Sequence, residues 1–314
     1  MKNCIISHAV IAIIIYYKFK PMSSKNILLW IIFLSVGYLS LSAQAVKYSP
    51  AYFGPNALPV PEVSDGKIPD YTQLGFSSDY SFGFGDQTLA WRLDAEIPLL
   101  PKFVSLKLWL VCHENYWLTP EVCRLRDINP SVSSGWATGD VYVQTRISVL
   151  REKKYSPQII LAATLRTASG KFQDRRYHDT PAYYFDASIA KSFSINSKFL
   201  KDIRLVGNIG FLCWETTNST QNDAPMYGLN LILSNSYLSF ENQIGGYWGW
   251  MNNGDRPLTF RTKLTYKYKF FNTFFQYQYG IMDFPYHQIR LGFVFSIQKL
   301  TPRYPISSKI DANN

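Results

Sequence analysis

Apolar and polar residues alternate with a period of two along most of the chain beyond residue 71. In "DVYVQTRISVL" (140–150), Val141 and Val143 fall on one side, and Gln144 and Arg146 fall on the other. This alternation is typical of β-strands, whose successive side chains point to opposite faces. The pattern predicts twelve strands, at 73–84, 88–97, 104–117, 139–150, 158–169, 182–194, 202–215, 226–234, 237–250, 258–269, 271–282 and 286–297.

The lengths of these strands and of their connections indicate a membrane barrel. Most strands have about ten residues or more, whereas strands of soluble proteins usually have about 5–6 and membrane-spanning strands about 9–11. Short turns such as "EKKYSP" and "SNS" alternate with longer polar connections such as "TPEVCRLRDINPSVSSGWATG". Short periplasmic turns opposite longer outer loops are typical of outer-membrane barrels. We therefore predict an all-β fold, a transmembrane antiparallel up-and-down β-barrel of about 12 strands over residues 71–298, in the outer membrane of a Gram-negative bacterium.

Composition supports a barrel in lipid over a soluble one. Charged residues make up 17% of the chain and aromatic residues 16%, whereas soluble domains carry about 25% charged residues. A soluble lipocalin-like barrel or sandwich would also alternate, but twelve long apolar faces exceed what one core of this size needs. The net charge is +10; since the basic residues are spaced singly rather than in a run, we expect no nucleic-acid partner.

The N-terminal region predicts export. In "MSSKNILLWIIFLSVGYLSLSAQA", Lys25 precedes an apolar run over 27–41 and a small-residue cleavage site ending at Ala45. We predict a cleaved signal peptide over 1–45, with Met22 as the true start; a tandem membrane anchor is the alternative. Residues 46–70 contain five prolines, which cannot continue a ladder or helix. This stretch is predicted to be a free periplasmic segment or a plug, and 299–314 a periplasmic tail.

A family resemblance follows from these features. The leader ending in "LSAQA", the proline-rich "KYSPAYFGPNALPVPE" and the strands after it resemble outer-membrane β-barrel proteins of Bacteroidetes-type bacteria. More loosely, the chain is similar to twelve-stranded barrels that transport hydrophobic compounds, including those of phenol pathways. The resemblance implies a fold and a location, and it brings no catalytic signature with it.

If the apolar faces meet lipid, the charged residues of the strands line the lumen. The inward charged residues are predicted to be Arg92, Asp94, Glu96, Lys107, Arg146, Arg166, Asp186, Arg204, Glu241, Arg261, Lys263, Lys267 and Arg290. Nine of these are basic and four acidic, and rings of Arg and Lys select anions. The set predicts a narrow pore or transporter for small solutes with a basic lumen. The alternative is that these charges neutralise one another across strands and serve stability.

Two other functions remain open at this point: a lipid-modifying enzyme (lipase or lipid A deacylase type) and a surface adhesin or structural barrel. The enzyme would need a base, and His113 is placed by alternation on the lumen face near the outer rim, although no serine signature accompanies it. The loop "DRRYHDT" (174–180) is interpreted as solvated. No metal-ligand spacing appears, so neither a metal nor a cofactor is expected. The expected partners are membrane lipid, lipopolysaccharide and small solutes. Cys112, Cys123 and Cys213 are interpreted as free thiols, with a Cys112–Cys123 bridge as the alternative.

Overall fold

A computed structural model describes residues 48–302, apart from 132, 196, 198 and 216–222. The predicted signal peptide and most of the predicted C-terminal tail lie outside the described residues. No helix in the described part of the chain is long and apolar enough to cross a membrane.

The described residues form one antiparallel sheet of thirteen strands. The strands are β1 (Thr72–Phe82), β2 (Asp86–Leu100), β3 (Val104–Leu118), β4 (Ser134–Ala137), β5 (Val141–Leu150), β6 (Gln158–Arg166), β7 (Ala182–Ser194), β8 (Asp202–Cys213), β9 (Asp223–Ser234), β10 (Leu238–Tyr247), β11 (Leu258–Tyr268), β12 (Phe271–Met282) and β13 (His287–Ile297). One short helix, α1 (Pro120–Leu125), lies between β3 and β4, and three single 3-10 turns lie at Pro50–Tyr52, Gln173–Arg175 and Gln298–Leu300.

The sheet closes into a ring of twelve strands. Each long strand pairs with its neighbours in the chain, β3 pairs directly with β5, and β1 pairs with β13 in the register Thr72↔Ile297 to Phe82↔His287. The short strand β4 pairs with the upper part of β3 only. The predicted twelve-stranded antiparallel barrel is therefore confirmed, and β4 and α1 are additions within the predicted connection between β3 and β5.

The two faces of the barrel differ sharply in polarity, as the alternation predicts. On β9, Leu229 is 64% exposed and its neighbour Asn230 is 1% exposed; on β8, Ile209 is 64% exposed and Asn208 is 6% exposed. Aliphatic and aromatic side chains thus cover the outside, while polar side chains point into the lumen. A continuous apolar outer surface is the arrangement that a lipid bilayer stabilises.

Exposed aromatic side chains gather near both ends of the barrel. The end that carries the long connections, here called the long-loop end, has Trp117, Trp136, Trp248 and Trp250; the opposite short-turn end has Phe193, Tyr268, Phe270 and Phe295. Aromatic rings prefer the two membrane–water interfaces, and transmembrane barrels carry such rings as girdles.

Candidate functional site in the barrel lumen

The proline-rich stretch before β1 lies inside the barrel. Phe53, Ala57 and Leu58 are at most 2% exposed and pack against inward side chains of the strands. Residues 48–71, called the lumen segment from here on, run from the long-loop end, where Tyr286 Oη donates to Phe53 O (2.6 Å), to the start of β1 at the short-turn end. Since its prolines lack N–H groups, the segment cannot join the ladder and lies against side chains instead.

Three arginines of the strands hold the backbone of the lumen segment. Arg166, Arg204 and Arg261 are 0%, 3% and 3% exposed, and their guanidinium groups donate to five backbone carbonyls of the segment. The contacts are Arg166 Nη1 to Ala57 O (2.6 Å), Arg261 Nη2 to Val60 O (2.5 Å), Arg261 Nη1 to Pro61 O (3.3 Å), Arg204 Nε to Asp65 O (2.8 Å) and Arg204 Nη2 to Gly66 O (2.7 Å). These predicted lumen residues therefore act on the chain's own backbone in this conformation.

Carboxylates of the lumen segment complete the charge balance of two further arginines. Arg290 pairs with Asp79 through Nε (2.7 Å) and with Glu62 through Nη1 (2.7 Å). Arg146 pairs with Glu96 (2.8 Å) and more loosely with Asp65 (3.5 Å). Acidic groups of the lumen segment thus supply counter-charges to arginines of the strands.

The remaining predicted lumen charges differ in how they are paired. Arg92 binds Asp94 (2.8 Å), and Arg204 binds Glu152 at the short-turn end (2.6 Å). Among the described residues, no ion pair joins an acidic group to Lys107, Lys263, Lys267 or Arg261. Two of these lysines lie near aromatic rings instead, with Lys107 Nζ 5.5 Å from the Trp109 ring centroid and Lys263 Nζ 4.8 Å from that of Phe274.

A cavity of about 540 Å³ lies beside the lumen segment. Of the predicted lumen charges, it is lined by Arg92, Asp94, Glu96, Lys107, Arg146, Asp186, Glu241, Arg261, Lys263 and Arg290. Arg166, Arg204 and Lys267 are outside this lining, the first two because the lumen segment covers them. The lining also includes four charged residues of the lumen segment and one before β5, namely Lys67, Glu62, Asp65, Asp70 and Asp140. In total, seven basic and eight acidic side chains line the cavity.

The wall of the cavity toward β3 and β5 is aromatic. The rings of Trp109 and Tyr142 stack with their centroids 4.8 Å apart. Asp140, which precedes β5, pairs with Arg166, with 3.7 Å between Oδ2 and Nε. This wall offers a molecule in the cavity a flat aromatic surface.

Buried charges hold the long-loop end of the barrel together. Arg176 donates to Glu114 Oε1 (2.8 Å), to Asp86 Oδ2 (2.8 Å) and to Thr88 Oγ1 (2.6 Å), and Arg126 donates to Asp86 Oδ2 (2.7 Å). The charged members are fully buried. Although burial opposes it, the carboxylates of Asp86 and Glu114 raise the pKa of Arg176 above its ordinary value.

The interpretation of "DRRYHDT" as a solvated loop is wrong for its central residues. Arg176, Tyr177 and His178 are at most 1% exposed, because the loop between β6 and β7 folds inward over the lumen segment. Gly54 N donates to Arg175 O (2.9 Å), which joins this loop to the lumen segment. The sequence carried no signal for this burial, since "DRRYHDT" has the composition of an exposed loop.

The imidazole of His178 lies between two rings of the lumen segment. Its ring centroid is 5.1 Å from that of Tyr48 and 5.3 Å from that of Phe53, and its Nδ1 lies 2.6 Å from Thr180 Oγ1. Burial, with a further contribution from the Arg166 guanidinium, lowers the pKa of His178 to about 4. The ring is therefore neutral at pH 7.

His113 faces outward, and its predicted place on the lumen face is wrong. The ladder between β2 and β3 pairs Trp91 with His113 and then Arg92 with Val111, so Cys112 is an extra residue in a β-bulge. A bulge exchanges the two faces of a strand. Glu114 consequently points inward and is fully buried.

The surroundings of His113 are aromatic. Its ring lies near those of Trp91 (5.6 Å) and Trp136 (5.8 Å), and its Nε2 is 3.3 Å from Asn115 Oδ1. Among the described residues, neither a serine nor an aspartate forms a hydrogen bond with His113. Cys112, Cys123 and Cys213 are free thiols, and the described residues contain no group of three or more His, Cys, Asp or Glu side chains placed to hold a metal ion.

Comparisons with known proteins find similar barrels among solved structures. No family model and no curated protein matches the sequence. The structure is similar to that of a COG4313 outer membrane channel from Pseudomonas putida F1, with a TM-score of 0.51 and 10% identity over 77% of this chain and 97% of that one. Two porins are more distant: NanC (TM-score 0.48, 11% identity, 71% of this chain and 100% of that one) and KdgM (TM-score 0.42, 10% identity, 71% and 99%). At 10% identity, the likeness to the COG4313 channel shows the fold alone, which is that of an outer-membrane β-barrel.

Proposed function

We propose that the chain is an outer-membrane pore or transporter for small solutes, closed in the present conformation by its own lumen segment. The observation that carries this proposal is the charged cavity of about 540 Å³ inside a closed barrel with an apolar outer surface. A cavity of this volume accommodates a small solute. The charged side chains around it favour polar solutes over the hydrophobic compounds suggested by the resemblance to phenol-pathway barrels.

A basic lumen is part of the proposal for the state in which the lumen segment has moved. Glu62, Asp65 and Asp70 belong to the segment and account for much of the acidic lining. When the segment leaves, Arg166 and Arg204 lose their cover, and the strands then present more basic than acidic side chains. Since rings of Arg and Lys favour anions, the open state is expected to prefer anions.

A disulfide that fixes the lumen segment tests the pore directly. Val63 Cγ2 lies 3.3 Å from the position of a Cβ added at Gly245 on β10, so a cysteine sulfur in place of this methyl group would lie within reach of a cysteine at position 245. We expect Val63→Cys/Gly245→Cys, with Cys112, Cys123 and Cys213 replaced by Ala, to conduct in planar bilayers when reduced and to lose its conductance when oxidised. Equal conductance in both states would show that the segment does not close the pore. Lack of conductance in the wild type and in the reduced variant would contradict the proposed pore function itself.

Replacing two of the arginines that hold the segment is expected to change ion selectivity. In Arg166→Gln/Arg261→Gln, the carbonyls of Ala57 and Val60 lose their charged donors, and the lumen loses two positive charges. We therefore expect longer open times together with a weaker preference for anions, measured as single-channel records and reversal potentials in a salt gradient. The matched control is Lys102→Gln/Lys153→Gln, which removes the same charge from exposed short-turn residues. An unchanged reversal potential in the arginine variant would contradict a basic conduction path.

A further inference from the structure

The part of the lumen segment between Asn56 and Gly66 is bound by the barrel as a peptide that leaves a turn at 55–57 and has no turn or regular element over 59–65. Its groups are held by side chains from strands all around the ring, including Arg166 on β6, Arg204 on β8 and Arg261 on β11. All three donate to backbone carbonyls, which every peptide offers whatever its sequence. The lumen therefore recognises main-chain geometry.

The backbone groups of this part suit the hydrogen-bonding side chains that surround it. Pro59 and Pro61 have no N–H group, so at these positions only carbonyls need partners. The carbonyl of Pro61 and that of Val60, which lies between the two prolines, accept from Arg261. Where an N–H is present, at Val63, it donates to Gln243 Oε1 (3.2 Å). A proline-containing chain is already extended and loses little conformational entropy on binding.

Side chains of the same part add two kinds of selectivity. Glu62 Oε1 accepts from Arg290 Nη1 (2.7 Å), and Asp65 lies 3.5 Å from Arg146, so acidic residues are favoured at these two positions. Val63 is 5% exposed and packs with Ala190, Val206 and Ile232. A Cβ at Gly228 would lie 2.4 Å from Val63 Cγ2, so the absence of a side chain there makes room for the valine.

Arg261 shows which groups the vacated lumen would offer to a ligand. This guanidinium is 3% exposed, and its described partners are Gln278 Oε1, Val60 O and Pro61 O. Within the described residues it has no carboxylate partner. If the segment moved away, only Gln278 of these three partners would remain, and the guanidinium would face the cavity with its other donors available. A ligand with acceptors at the same positions could then take the place of Val60 O and Pro61 O.

We propose that the lumen is a binding site for extended, acidic, proline-containing oligopeptides, and that residues 56–66 are its covalently attached occupant. The inference rests on the proposed function in one respect, namely that the segment can leave its place. A free peptide then competes with an attached one, whose effective concentration is on the order of millimolar. The attached segment must be weakened before binding of a free peptide becomes measurable.

The test uses the full-length chain with Glu62→Lys/Asp65→Lys, which places two positive charges against Arg290 and Arg146. The probe is a fluorescent peptide of residues 56–66, NALPVPEVSDG, added to the folded variant in detergent and followed by anisotropy. Two control peptides have the same length: one carries the same two lysine substitutions, and the other has the residue order reversed. Heat-modifiable migration on a gel verifies folding, and Glu62→Gln/Asp65→Asn replaces the first variant if that one does not fold.

We expect saturable binding of the probe, with affinity at least about tenfold weaker for both control peptides, and weaker binding again when Arg261→Gln is added. Absence of binding, or equal binding of all three peptides, would overturn the proposal. Conductance of the same variants in bilayers separates the two ideas. A variant that conducts but does not bind the probe would support the pore and contradict the peptide site. A variant that binds the probe but does not conduct would support the peptide site and contradict the pore.

Discussion

Replacing Arg176 by methionine is expected to lower the free energy of unfolding by about 3–5 kcal/mol, because it removes one partner from a buried ionic network. The side chain is fully buried and donates to Glu114, Asp86 and Thr88 at 2.6–2.8 Å. Methionine fills much of the same volume, but it removes one positive charge and its hydrogen-bond donors from the buried carboxylates of Glu114 and Asp86. Urea unfolding in detergent, followed by tryptophan fluorescence, measures the loss.

An exposed arginine in the same region provides the control for Arg176. Arg124 on α1 pairs with Glu121 at 3.1 Å, and both side chains are more than 60% exposed. Since exposed pairs contribute between about 0 and 1 kcal/mol, Arg124→Met should have little effect. Adding Glu114→Gln to Arg176→Met should recover part of the loss, because one unpaired charge is removed. Equal stability of the two arginine variants would show that the buried network is not what holds the long-loop end.

Acidification is expected to destabilise the long-loop end through His178. The pKa of this side chain is lowered to about 4 in the folded protein by burial and by the Arg166 guanidinium, whereas in the unfolded chain it is near 6.5. Between these values the unfolded chain takes up a proton that the folded chain does not, so stability falls as the pH is lowered from about 6.5 to about 4. The full difference corresponds to about 3 kcal/mol.

The groups that face His178 define the control variant. They are the rings of Tyr48 and Phe53, the hydroxyl of Thr180, the carboxylate of Asp179 and the guanidinium groups of Arg166 and Arg175. His178→Phe keeps the ring packing and removes the titration. Urea midpoints measured from pH 7 to pH 4 should therefore fall less steeply for His178→Phe than for the wild type, and parallel curves would exclude His178 as the source.

The sequence predicts the barrel well because lipid imposes a strict pattern on it. On β6, Leu161 and Leu165 must face the membrane while Arg166 faces the lumen, and the period of two follows directly. The same rule places the charged residues of the strands inward. The ends of all twelve predicted strands agree with the structure within three residues.

The candidate site is less predictable because it depends on contacts between distant parts of the chain. Alternation alone places His113 on the wrong face of β3, since the bulge at Cys112 cannot be recognised from the order of apolar and polar residues. The balance of positive and negative charge in the lumen is also not predictable from the sequence. It depends on Glu62 and Asp65, which precede the barrel and reach Arg290 and Arg146 only after folding.

The path of the lumen segment has a consequence for biogenesis. β1 and β13 are the first and last strands, and their eleven paired positions join residues more than 200 positions apart. Such non-local pairing is slow to form, so we infer that the seam closes last. Because the lumen segment leads directly into β1, its contacts with the inner face of the sheet can form while the seam is still open. We therefore expect filling of the interior to accompany closure of the wall, rather than to follow it as a separate step.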